Sequence, residues 1–380
     1  MKYDERVQEI LEYLQHAIAA GELRESDPQA IAAAIRKKSA TVLSDVEVLR
    51  ILRKLRHDVQ GVGILEPIFS IPGLTDVVVN GKDHIFYDRG QGMERFPLHF
   101  ETEEDVRRLA TRLILSAGSR LDESQCFANG VLERLDGTNI RIHAVLSPPA
   151  QAGTCLSLRV LRQVSVSLEE LAQQQTFQQD TVALLRRIIA KRHSFLIIGG
   201  TGSGKTTLLS AMLGEVPAQE RLIVLEDTAE LQPNHPHVLT MVTRGANTEG
   251  KGAIVLSDLL QQSLRMRPDR IIVGEIRGPE VIDLLTALNT GHEGCAGTLH
   301  ANDVREVPAR IEALAALGNM GRETVLAQLA AAAPLILVMK RTATGRRLHQ
   351  IGMIDSFPPQ VQVVWSHKTG PTSQLMKVLA

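Results

Sequence analysis

Eight consecutive residues, Gly199-Gly200-Thr201-Gly202-Ser203-Gly204-Lys205-Thr206, combine the types that could hold a polyphosphate chain. They fit the spacing G-x-x-x-x-G-K-[ST], in which glycines let the backbone curl until successive N–H groups face inward at anionic oxygens. The lysine can reach the outer phosphates, and the hydroxyl that follows it can ligate magnesium. Thr207 is counted with the same nucleotide-binding run. The context agrees: the apolar stretch Phe195–Ile198 reads as a strand, and Lys205–Leu213 reads as a helix whose N-terminus would add positive potential. The implied ligands are ATP and Mg²⁺.

Hydrolysis needs acids that hold the metal and orient water. Two candidates end expected strands: Glu226, followed by Asp227 and Glu230, and Glu275 at the end of Ile271-Ile272-Val273-Gly274-Glu275. Strand C-termini of an open α/β sheet converge on the ligand crevice, so either could reach the outer phosphate. Glu275 is favoured for the water, Glu226 competes with it, and both join Thr206 as expected metal ligands. Downstream, Gly291-His292-Glu293-Gly294-Cys295-Ala296-Gly297-Thr298-Leu299-His300-Ala301-Asn302 places two histidines eight residues apart. A third ligand at a recognisable spacing is missing, which argues against a metal pair of their own.

These residues need a frame. From Ser194 the chain alternates strand and helix: Leu222–Leu225 and Arg270–Val273 as strands, Leu256–Leu264 and Val281–Leu288 as helices. That alternation predicts a mostly parallel sheet covered by helices, over residues 166–380. Residues 59–165 mix short β-rich runs at Thr75–Val79, His84–Tyr87, Asn139–Val145 and Thr154–Leu161 with a helix from Glu103, and Asn80-Gly81 marks a hairpin turn. This is a smaller α+β domain. Residues 1–58 read as short helices, one carrying Val7, Ile10, Leu11 and Leu14, a second from Ala30 to Lys38, and a third from Ser44 to Val59.

Composition sets limits on the partners. The net charge of −1 gives no global pull toward nucleic acid, and 3% aromatic residues leave few platforms for stacking bases. Cys126, Cys155 and Cys295 are odd in number and widely spaced, which suits a reducing compartment and no zinc site. No apolar run reaches the roughly 18 residues that span a bilayer, and Met1–Arg6 shows no signal core. The expectation is a cytoplasmic protein that meets the membrane only through partners.

With these motifs in order, the chain resembles the secretion ATPases, and within them the TadA/CpaF branch that powers Tad (Flp) pilus assembly. The resemblance covers about residues 60–355. It rests on the P-loop, Glu226-Asp227-Thr228, the strand ending Gly274-Glu275, and the stretch from Gly291 to Asn302. Arg265-Met266-Arg267-Pro268-Asp269 and Leu74-Thr75-Asp76-Val77-Val78-Val79-Asn80-Gly81 are also typical of it. The resemblance implies a RecA-like C-terminal domain, a PAS-like N-terminal domain, and a homo-hexameric ring working on an inner-membrane platform protein. It implies that Arg141 and Arg159 reach the phosphates, and that His292 and His300 sense the outer phosphate or couple subunits. Pro148-Pro149 and Val164–Leu171 are the expected hinges.

Two departures qualify the match. Where TadA-like chains carry Asp-Ala-Arg-Leu, this one has Asn129-Gly130-Val131-Leu132, with Arg134 as the candidate substitute. The tetracysteine zinc module of the type II secretion branch is absent. The wording of Gly294–Asn302 and Val307-Pro308-Ala309-Arg310 resembles TadA-like proteins of actinobacteria, some encoded near conjugation-like genes. A conjugation-associated transfer ATPase and a non-motor ATP-binding regulator are the alternative readings.

Overall fold

A computed structural model describes residues 61–380 apart from 135, 162–165, 247–250, 343–344 and 355, together with 10, 13, 14, 17, 23, 28–39, 47 and 48. The expected helix from Ser44 and most of the expected helix before Gly21 lie outside the described residues. Helix α1, Pro28–Lys38, stands where a helix is expected from Ala30. Its Ile31 and Ile35, one turn apart, are buried with Ile10, Leu14 and Val48. Arg36, Lys37 and Lys38 fill its last turn, where cations oppose the helix dipole. The chain divides into two compact units, Met1–Arg162 and Gln163–Ala380.

The first unit holds an antiparallel sheet packed by a long helix and by one short turn of helix at Glu66–Phe69. Its strands are β1 (Asp76–Asn80), β2 (Ile85–Asp88), β3 (Met93–Arg95), β4 (Phe127–Glu133), β5 (Asn139–Val145) and β6 (Cys155–Leu161), in the order β3-β2-β1-β6-β5-β4. Helix α2, Glu103–Ser116, starts at a capping box in which Thr102 and Asp105 exchange hydrogen bonds. It buries Val106, Leu109, Ala110, Leu113 and Ile114, a stripe at helical spacing, against Val77, Val79, Ile140, Ile142 and Leu158. The Asn80-Gly81 turn forms as expected, with Gly81 in the left-handed region at φ 68°. Edge strand β4 has no counterpart in the sequence-based expectation. Pro148-Pro149 also departs from it: the pair lies in the turn between β5 and β6, which are paired along their length, so it is internal to this unit and cannot articulate two units.

In the second unit, helices α3 (Leu168–Gln173) and α4 (Gln179–Ala190) lead into β7 (Phe195–Ile198) and α5 (Lys205–Leu213). Then come β8 (Leu222–Glu226), β9 (Val238–Val242), α6 (Leu256–Ser263), β10 (Arg270–Ile276), α7 (Glu280–Asn289) and β11 (Ala296–Leu299). The chain ends with α8 (Val307–Leu317), α9 (Arg322–Ala332), β12 (Leu335–Thr342), β13 (Gly345–Ile354), β14 (Val361–Ser366), β15 (Gly370–Pro371) and α10 (Ser373–Val378). The sheet order is β15-β14-β13-β12-β7-β11-β10-β8-β9. Every ladder from β12 to β9 is parallel, and those from β12 to β15 are antiparallel.

Alternation along each central strand sorts the core into two layers. Phe195, Ile197, Leu222, Val224 and Leu337 pack on α3, α4 and α5. Leu196, Ile198, Ile223, Leu225 and Val338 pack on α6 to α9. Strands buried on both faces read as unbroken apolar runs, which is how β7, β8 and β10 were legible in sequence, while the equally buried β11 and β12 were passed over.

One charge network ties the N-terminal ends of these strands together. Arg270, the first residue of β10, is fully buried; its Nε donates to Glu220 at 2.7 Å and its Nη2 to the Ile189 carbonyl at 2.9 Å. Arg192 joins Glu220 at 3.1 Å. The guanidinium lies so close to Gly294 that a Cβ there would stand 2.7 Å from Nη1. Removing one partner of a buried ion pair strands the other in low dielectric, so Arg270→Ala is expected to destabilise the second unit by about 3–5 kcal/mol. Trp365, the one tryptophan of the chain, is buried in this unit and reports its urea unfolding by fluorescence. A midpoint unchanged from wild type would show that the network adds no stability.

Candidate nucleotide site

The phosphate loop hangs between β7 and α5. Gly199 has φ 150°, and a Cβ on it would lie 2.3 Å from the Met339 carbonyl oxygen and 2.6 Å from Ser203 Oγ, so only glycine fits against β12 there. Gly204, at φ 95°, is the N-cap of α5 and offers no side-chain cap. The first-turn N–H groups, including those of Thr206 and Thr207, are therefore open to an anion. Lys205 is 8% exposed; its ammonium donates to the carbonyls of Gly199 and Gly200 at 3.0 and 3.1 Å. Burial pushes its pKa down, while the Glu275 carboxylate pulls the other way. Ser203 is buried and its hydroxyl has no partner among the described residues, whereas Thr201 is exposed.

Glu275 faces this lysine because β10 bulges. Val273 pairs with Gly297 and Ile276 with Leu299, so β10 spends one more residue than β11 over the same span. Thr298 Oγ1 donates to the Gly274 carbonyl at 2.6 Å and closes the bulge. A Cβ on Gly274 would lie 2.6 Å from Glu226 Cγ, so that glycine makes room for the neighbouring acid. One Glu275 oxygen lies 2.5 Å from His300 Nε2, and the other is ion-paired with Arg277. Arg277 also stands 3.8 Å from Asp227. The turn carrying Arg277 is braced by the buried Glu280, whose carboxylate accepts the N–H groups of Arg277 and Gly278 at 2.6 and 2.8 Å.

Glu226 has a different environment. It is 5% exposed, and its carboxylate accepts the N–H groups of Leu231 at 3.0 Å and Glu230 at 3.2 Å, which folds the segment after β8. Its oxygens are thus engaged in holding backbone. Burial pushes its pKa up to about 7, against the pull of those N–H groups.

The structure brings together the P-loop, Glu226, Glu275 and His300 at the C-terminal edge of the parallel strands. Asn302 joins them, with its Oδ1 3.9 Å from where a Gly200 Cβ would be. It does not bring His292 there. His292 precedes β11, which runs parallel to β7, so it sits at the opposite edge beside the Arg270 network. The four residues of β11 alone span roughly 13 Å at the usual rise.

In the first unit, Arg141 and Arg159 are in register on β5 and β6, on the face away from α2, with Arg159 2.9 Å from Asp76. The departure at residues 129–132 is also accounted for locally. Asn129 pairs with His143 at 2.7 Å, and Gly130 packs against Ala117. Arg134, the candidate substitute, is ion-paired with Glu66 at 2.7 Å and lies over the Phe69 ring.

Sequence reasoning passed over Arg277, Thr298 and Glu280. Arg277 lies just past the end of β10, in a turn set by Glu280, and no period in the sequence points to it.

The Glu226 environment makes stability depend on pH with a definite sign. Below about pH 4.5 the group is protonated both folded and unfolded and contributes no pH dependence. As pH rises toward 7 the unfolded chain ionises while the folded one keeps its proton, so stability falls, by an amount on the order of 3 kcal/mol once pH exceeds the folded value. Glu226→Gln removes that dependence. Urea midpoints read from Trp365 should favour wild type over the variant more at pH 5 than at pH 8. An equal difference at both pH values would mean that Glu226 titrates normally.

Comparison with known proteins agrees with this geometry. Residues 58–344 match the family model described as "Type II/IV secretion system protein". A Mycobacterium tuberculosis chain provisionally named a conjugal transfer protein is 50% identical over 326 residues, 85% of this chain and 93% of its own length. The conjugal transfer protein TrbB of Rhizobium radiobacter is 32% identical over 215 residues, 56% of this chain and 64% of that one. Among solved structures, the pilus retraction motor PilT with bound ADP shares the fold at a TM-score of 0.56 and 20% identity, over 83% of this chain and 85% of that one. Both of these relatives carry conjugal transfer names, so the match shows the wider secretion family and not the Tad pilus branch within it. By the span of its family match and the identity of its relatives, the chain belongs to the type II/IV secretion system protein family.

Proposed function

We propose that this protein is an ATP-hydrolysing motor of a conjugation-type, type IV-like transfer apparatus. The observation that carries the reading is Glu275, aimed by the β10 bulge toward the Lys205 side of an open P-loop. The backbone N–H groups of residues 200–207 bind the phosphate chain. Lys205 exchanges its two loop carbonyls for phosphate oxygens, a swap favoured because neutral carbonyls satisfy its buried ammonium only in part. Glu275 orients the attacking water and accepts its proton as the bond to the leaving ADP breaks, giving phosphate. Arg277 pairs with one carboxylate oxygen and His300 stands beside the other, and together they would fix the direction of that acceptor.

Thr206 would supply the magnesium-binding hydroxyl, with Glu275 as the proposed acid at the same strand edge, and the bound ion would neutralise charge that builds up on the transferred phosphoryl group. Glu226 acts through the fold: it holds the exit of β8 beside Gly274. Arg141 and Arg159 are retained as the first unit's phosphate-binding pair. Their register supports this, since like charges placed opposite on neighbouring strands are stabilised by an anion. A homo-hexamer working on an inner-membrane platform protein from the cytoplasmic side is the assembly this reading takes, as in the resemblance set out above. The relatives' names favour conjugal transfer over Tad pilus assembly as the setting.

The test is Mg-dependent phosphate release by the full-length protein, with particle mass recorded in the same buffer. Wild type should turn over slowly and assemble on adding nucleotide, and Lys205→Ala and Glu275→Gln should each cut the rate by roughly 10²-fold or more. Nucleotide binding without turnover in the wild type would overturn the motor and leave an ATP-binding regulator.

A further inference from the structure

The hairpin of β12 and β13 carries four cations, Lys340, Arg341, Arg346 and Arg347. Its register sets like charges face to face, Lys340 opposite Arg347 and Arg341 opposite Arg346. Directly opposed like charges weaken a strand pair, and an anion nearby offsets that cost.

The same hairpin walls the phosphate loop. The Met339 carbonyl presses on Gly199, and at the other end of the loop the Arg346 side chain crosses Gly204, where a Cβ would lie 3.0 Å from its Cδ. Arg346 Nε donates to the Gly202 carbonyl at 3.1 Å. The side chain is exposed and pairs with no carboxylate among the described residues. A guanidinium presents five N–H groups in a planar fork. With Nε fixed on Gly202, the two Nη groups are held beside the uncapped N-terminus of α5, where the backbone already favours negative charge.

We propose that Arg346 is a phosphate ligand of the nucleotide site, supplied by the C-terminal hairpin of the same chain. Nε anchors the residue on the Gly202 carbonyl, and the Nη pair takes oxygens of the polyphosphate. The proposal rests on the ATP-site reading above, and its chemistry is that of a phosphate chain with or without a nucleoside. Gln at this position can still donate to Gly202 and brace the loop, but it carries no charge. That separates a phosphate ligand from a structural prop.

Calorimetric titration of the full-length protein with MgADP and with magnesium tripolyphosphate tests this in four forms: wild type, Arg346→Ala, Arg346→Gln and Lys205→Ala. Both Arg346 variants should bind both ligands about 10-fold to 100-fold more weakly, the range of a charged hydrogen bond, with the urea midpoint of Trp365 fluorescence unmoved. Wild-type affinity in Arg346→Gln would make the residue a brace and overturn the proposal. So would weakened ADP binding with tripolyphosphate unaffected, which would place the contact on the nucleoside. Wild-type affinity in both Arg346 variants alongside lost binding in Lys205→Ala overturns the proposal and leaves the ATP site standing. Wild-type affinity in Lys205→Ala removes the ATP-site reading and this proposal with it.

Discussion

The hydrogen bond from Thr298 to the Gly274 carbonyl closes a one-residue bulge in β10, and the geometry of the whole site depends on it. Without the extra residue, the alternation of the strand would send the Glu275 side chain to the other face of the sheet. The bulge needs a residue without a Cβ at 274, because the Glu226 side chain occupies that space. Glu226 in turn is held by two backbone N–H groups of the segment after β8. The strand ends are therefore locked to one another before any ligand arrives, and such preorganisation is what a hydrolytic site requires.

The two-layer core supplies the rigidity. Strands buried on both faces cannot slip by one residue without exchanging their entire sets of core side chains. The Arg270 network pins the far ends of the same strands to α4 and to the loop bearing Gly294. Packed layers deform little, so this sheet is the rigid part of the second unit. Val164–Leu171, the other expected hinge, begins just after the boundary between Arg162 and Gln163, with its last four residues already in α3 and residues 164 and 165 outside the described residues.

Much of this was legible in the amino-acid sequence, for reasons that also explain what was missed. β7 and α5 were found with the bounds expected, because a fully apolar strand, a glycine-rich loop and a helix follow one another without interruption. β4 was not, since its Asn129-Gly130 pair resembles a turn and an edge strand keeps only one face apolar. The antiparallel strands β13 to β15 carry charged and polar residues on exposed positions and gave no clear period. Glu275 was recognised by its place at a strand end, but the bulge that aims it depends on β11, a contact between distant residues. His292 and His300 look equivalent in sequence. A four-residue strand between them carries one to the phosphate edge and leaves the other at the opposite edge.

The most direct test of this account is steady-state turnover of Gly274→Ala, measured together with its affinity for MgADP and its urea midpoint. A Cβ at 274 must displace Glu226 and with it the bulge, while the P-loop on β7 is untouched. We expect kcat to fall about a hundredfold, the scale of an ångström-level misplacement of a catalytic group, with MgADP affinity held within about twofold. A folded variant with wild-type kcat would contradict the claim that the bulge positions the proton-accepting carboxylate of Glu275.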